Sequence, residues 1–95
     1  MRFVLVTCFA LMPAAGMAAN ADCAVLGDIV TSVALERAGG AEMNDAMTAV
    51  AESYTGDKER FVPAIPLLAD WVYTLPDDQL TAEAGTAYQK ACEAQ

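Results

Sequence analysis

Cys23 and Cys92 bracket nearly everything that follows residue 21, so a bond between them would bring the two ends of the folded chain together. A disulfide needs its Cα atoms within about 7 Å. In a bundle of helices that run alternately up and down, only an even number returns the chain to its starting end. Three equal helices of about 14 residues would leave the two cysteines a helix length apart, roughly 20 Å. A Cys23–Cys92 bridge and four helices therefore support each other.

The bridge is expected because the chain carries the marks of export. Arg2 supplies a positive start, Phe3 to Met12 is an uncharged and mostly apolar run, and Pro13 breaks any helix there. Small residues follow as far as Ala21. Ala19-Asn20-Ala21 fits the A-x-A cleavage rule and would leave Asp22 as the mature N-terminus, with Gly16-Met17-Ala18 and Met17-Ala18-Ala19 as less standard sites. The rival reading is an uncleaved membrane anchor. A spanning helix needs about 20 apolar residues, and Pro13, Gly16 and Asn20 interrupt this stretch. Residues 1–21 are thus read as a signal peptide, with no stable membrane insertion after its removal and a periplasmic or secreted destination. Cys8 leaves with the leader, and two cysteines in an oxidising compartment most simply pair, the alternative being an intermolecular bridge.

Removing 21 of 95 residues leaves 74, enough for a single domain over residues 22–95. A domain this small is marginal on its core alone. A staple closing almost the whole chain contributes about 4 kcal/mol in the chain-entropy picture. Arg37, Lys58, Arg60 and Lys90 are the only basic residues left against 13 acidic ones, a net charge of −9. Such a surface repels nucleic acid and anionic membranes, and it permits a basic protein partner.

After Asp22 strand signals are weak and 3.6-residue spacing dominates. The first helix is expected from about Asp22 to Ala38, with Cys23, Leu26, Val30, Val33 and Ala34 on one face. Val25 and Leu35 fall on its polar side, and Gly39-Gly40 ends it. The second runs from about Ala41 to Tyr54 on the stripe Met43, Met47, Val50, Tyr54. The third occupies Lys58 to Leu75, where Phe61, Ile65, Leu68, Val72 and Leu75 align and Trp71 flanks them. Pro63 and Pro66 place the start of its regular part near Pro63. Pro76-Asp77-Asp78-Gln79 reads as a turn, and Thr81 as the N-cap of a last helix to about Ala94. That helix has a thin inner face of Ala84, Gly85, Tyr88 and Cys92. The fold class is all-α: a small four-helix up-down bundle, stapled by one disulfide.

Chemistry is scarce. Histidine is absent, which removes the commonest general base and metal ligand together. Paired cysteines leave no thiolate, and Ser32 and Ser53 have no activating partner. Gly39-Gly40 lacks the flanking pattern of a phosphate loop. Asp77-Asp78 is the only adjacent carboxylate pair. It sits in a turn without the cleft glycosidase chemistry needs and without the alternating ligands of a calcium loop. Met43, Met47, Tyr54, Phe61, Trp71 and Tyr88 could line a ligand groove, although each is also at core spacing. No catalytic residue, cofactor or metal is expected.

A non-catalytic protein-binding module is therefore the leading expectation: an exported inhibitor, immunity-type or accessory protein. Glu42, Asp45 and Glu52 are its candidate contacts with a basic partner. The alternative is an acid- or stress-responsive periplasmic holdase. In size, disulfide use and helix content the chain resembles small exported helical chaperones of the HdeA kind. On this alternative, acidification neutralises most of the 13 carboxylates, swings the charge toward the +4 of the basic residues and loosens a thin-cored bundle, while the resemblance itself extends to architecture alone.

Overall fold

The computed structural model describes residues 21–95, so the expected signal peptide, but for Ala21, lies outside the described residues. The chain is all-helical there: four α-helices, two stretches of the tighter 3₁₀ helix and no strand among the described residues.

The first helix, α1, is helical over 21–38. Ile29, Val30, Val33 and Ala34 sink completely into the core, and Val25 and Leu26 lie partly buried against it. The helix stops at a paired-glycine signal. The Gly40 N–H bonds the Arg37 carbonyl (2.9 Å) and the Ala41 N–H reaches back to Glu36 (3.0 Å). That crossed pair is the Schellman arrangement, which requires a left-handed residue at the position Gly40 fills with φ +101°.

The second helix, α2 (Met43–Ala51), is shorter than the expected Ala41–Tyr54. Ser53 and Tyr54 already bond three residues back, to Val50 and Ala51. The last turn therefore tightens, Tyr54 drops into the core and Gly56 turns the chain at φ +63°.

The region before the third helix departs from expectation. Gly56–Ala64 is a nine-residue 3₁₀ helix, well beyond the three or four residues at which such runs usually stop. Regular α3 spans Ile65–Val72, two residues later than Pro63. Pro63 has no N–H to give, and its ring would crowd the carbonyl four residues back in an α-helix. Pro66 falls in the first turn of α3, where the missing N–H would have no intrahelical partner anyway. Ile65, Leu68, Ala69 and Val72 face inward, against α2 and the 3₁₀ segment.

A single 3₁₀ turn, Asp77–Gln79, follows. Thr81 then caps α4 (Ala82–Glu93) as expected, its side chain accepting the Glu83 N–H at 3.2 Å. Only Ala84 and Gly85 of this helix are buried. Its grip on α1 comes from close approach: a Cβ on Gly27 would stand 2.8 Å from the Gly85 carbonyl oxygen, and one on Gly85 would overlap Thr31 Oγ1. Thr31 itself donates to the Ala82 carbonyl at 3.2 Å.

Cys23 and Cys92 are disulfide-bonded, with Cα atoms 5.7 Å apart, so the start of α1 is tied to the end of α4. Arg37 joins α1 to α3, its Nη1 donating to the carbonyls of Val72 and Leu75, each at 2.8 Å. Tyr73 completes this corner, its hydroxyl donating to the Ala41 carbonyl at 2.6 Å. Among the described residues no helix is long and apolar enough to cross a membrane.

Candidate functional site

Of the six aromatic and methionine residues weighed for a groove, Tyr54 and Phe61 are buried in the core, and Met43, Met47 and Tyr88 pack partly buried against it. Trp71 is the exception. It stands on the outer face of α3, 39 % exposed, one turn after Leu67, which is 74 % exposed. Positions four apart share a helix face, and this face points away from the inward set of Ile65, Leu68, Ala69 and Val72.

The Trp71 indole leans on the Tyr88 ring of α4, centroids 5.8 Å apart and planes tilted by 52°. The small residues of α4 leave room on both sides of it. One hollow, about 260 Å³, lies between Trp71 and Leu75 on one side and Ala84 and Ala87 on the other. It is also lined by Asp78 of the 3₁₀ turn and Glu83 of the first turn of α4, both exposed. A second hollow of similar size, about 260 Å³, is bounded by Trp71, Ala87, Tyr88 and Ala91. The indole is thus a ridge between two depressions, one acidic and one apolar.

The neighbouring carboxylate is already engaged. Asp77 meets Arg37 Nη2 at 3.5 Å, and the same guanidinium lies 5.2 Å from the centre of the Tyr73 ring. Asp22 meets Arg60 at 3.3 Å. Among the described residues neither Asp78 nor Glu83 has a cationic partner.

The contacts expected from the sequence lie elsewhere. Glu42 is the N-cap position of α2 and Asp45 sits in its first turn, where negative charge suits the helix dipole. Glu52 is the C-cap at the opposite end. All three are exposed. The structure brings Glu42 and Asp45 together and sets Glu52 ten residues along, roughly 15 Å away in helical rise.

The tyrosine phenols with perturbed acidity are held protonated. Burial, then the charge of Asp28, pushes Tyr54 above its ordinary 10.0. Burial does the same for Tyr73, with Arg37 pulling partly back and Glu36, Asp45 and Glu42 adding to the rise. Among the described residues no group of three or more His, Cys, Asp or Glu is placed to hold a metal ion.

Leu67, Asp78 and Glu83 were not legible as site residues. Leu67 carried a usable signal, since it lies one turn from Trp71 and off the Phe61–Ile65–Leu68–Val72–Leu75 stripe. Asp78 stood out only as half of the Asp77-Asp78 pair and Glu83 carried no signal, because their meeting depends on how α4 docks. No protein-family model matches the chain, nor does any curated protein or solved structure.

Proposed function

We propose that the protein is an exported, non-catalytic protein-binding module of the inhibitor, immunity-type or accessory kind. One observation carries the reading: Leu67 and Trp71 stand one turn apart and exposed on α3, and Trp71 shares a hollow with two carboxylates that have no cationic partner among the described residues. Aromatic anchors with an acidic border are how a small acidic domain holds a basic partner. The charge steers the encounter and the apolar contact slows departure. Glu42, Asp45 and Glu52 extend the acidic surface over α2 and are proposed as secondary contacts.

Export to the periplasm or beyond by cleavage of residues 1–21 belongs to the same proposal. It is supported by the leader pattern and by the Cys23–Cys92 bond, which suits an oxidising compartment. An up-down-up-down order of the helices is proposed with it. Arg37 and Val72 put the ends of α1 and α3 together, and the disulfide puts the start of α1 beside the end of α4.

In-cell crosslinking of the tagged full chain, followed by mass spectrometry of what co-purifies, tests the reading. A single protein in near-equal amount, lost when Leu67→Ser and Trp71→Ala are combined, is the expected result. Recovery unchanged by that pair would overturn it.

The thin burial of α4 favours a second reading as an acid-responsive holdase. On that reading the crosslinked set is a scatter of unrelated proteins that grows as the medium is acidified.

A further inference from the structure

Resting on the protein-binding reading, we propose that the acidic hollow beside Trp71 receives the guanidinium of one arginine presented by the partner protein.

Size decides the scale of the occupant. At about 260 Å³ the hollow has room for a single inserted side chain. Its lining decides the kind. Trp71 lines it, and a planar guanidinium stacks on an aromatic ring over more area than a compact ammonium, which the ring also attracts. Asp78 and Glu83 arrive from two different elements and supply acceptors for the guanidinium fork. The aliphatic stem of the arginine would lie on Leu75 and Ala87.

The protein uses the same recognition on itself. At the adjoining corner Arg37 sits over the Tyr73 ring and touches Asp77. Asp77 and Asp78 are consecutive, so one 3₁₀ turn gives one carboxylate to an internal arginine and the next to the hollow.

A second copy of this chain is a poor source of that arginine. Arg37 is committed to α3, and Arg60 is paired with Asp22 and lies over the Phe61 ring at 4.2 Å. On the export reading Arg2 has left with the leader, and two mature chains of net charge −9 also repel each other. The donor is a foreign, basic protein.

Trp71 is the sole tryptophan, so its indole N–H is a unique nuclear magnetic resonance signal. Protein purified from cells expressing the full chain is titrated with acetyl-arginine methylamide, and in parallel with the acetyl-citrulline and acetyl-lysine analogues. Saturable shifts at Trp71, Asp78 and Glu83 are expected with arginine, and binding about tenfold weaker or worse with both analogues. The double variant Asp78→Asn, Glu83→Gln should weaken arginine binding by about tenfold while leaving the rest of the spectrum in place. Equal responses to arginine and citrulline, equal responses to arginine and lysine, or no shift at Trp71 would each overturn the proposal. So would concentration-dependent self-association that Trp71→Ala removes, since the occupant would then be a second copy.

The two readings fail separately. A crosslinked partner lost with Leu67→Ser, Trp71→Ala but indifferent to Asp78→Asn, Glu83→Gln keeps the binding function and removes the arginine. Specific arginine binding without any crosslinked partner does the reverse.

Discussion

Gly85 of α4 lies against Gly27 of α1 so closely that neither position has room for a Cβ. A helix with almost no large apolar residue on its inner face can dock in this way, because missing side chains let two backbones approach. Gly85→Ala gains helix propensity, about 1 kcal/mol. It also drives the new methyl into Thr31 Oγ1 and the Gly27 carbonyl, and overpacking of this kind costs about 1–3 kcal/mol or more. The clash involves backbone that cannot swing aside, so net destabilisation is the expected outcome of urea unfolding under non-reducing conditions. Gly39→Ala is the control. It meets only ordinary contacts at 3.5 and 3.6 Å and should be neutral or mildly stabilising.

Arg37 ties down the C-terminal end of α3, where the last carbonyls have no partners within the helix. Arg37→Met should cost about 2–3 kcal/mol, since two charge-assisted bonds go, the Leu75 carbonyl loses its donor and the Val72 carbonyl keeps only the Leu75 N–H at 3.1 Å. For a domain of this size that is a fall of roughly 10 °C in thermal midpoint. Asp77→Asn should change the midpoint little. The Asp77 side chain is 95 % exposed and its pair with Arg37 is long.

The raised phenol pKa values set an alkaline limit. Tyr54 and Tyr73 are neutral in the fold above the pH at which they would ionise when unfolded. Their stabilisation is therefore complete below about pH 10 and is lost as pH rises through the higher folded values. Unfolding free energy should fall above about pH 10. Tyr73→Phe should lower the neutral-pH value by about 1 kcal/mol through the lost bond to Ala41, and flatten the alkaline decline. An unchanged decline in Tyr54→Phe, Tyr73→Phe would contradict this.

Reduction of the Cys23–Cys92 bond frees the helix with the least burial. A stability loss of about 4 kcal/mol is expected. Amide hydrogen exchange should rise first in α4, while protection around Val33 and Val72 persists. Simultaneous loss of protection in all four helices would show that α4 is integral to the core.

The helical class, the helix-ending glycines, the Thr81 cap and the cysteine pair were legible because each rests on local chemistry or on a single geometric requirement. The stripe Ile65–Leu68–Val72 likewise announced its burial through spacing. The start of α3 was misplaced by two residues because tolerance of Pro63 depends on whether the preceding turn is α or 3₁₀, which sequence periodicity does not resolve. The Trp71 hollow was out of reach for a stronger reason. It exists because Gly85 lets α4 settle close to α1, which brings Ala84, Ala87 and Glu83 to the same place as Asp78, and no residue carries that distance in its own chemistry.

The most direct test of the binding face places a photoreactive amino acid at Leu67 in the full chain, irradiates living cells and identifies the adduct by mass spectrometry. Leu35, also exposed (53 %) but on α1, takes the same substitution as the control. One adduct of defined mass from position 67 and none from position 35 is the predicted result. Adducts from position 35 alone, from both positions alike, or from neither would contradict a binding face built on Leu67 and Trp71.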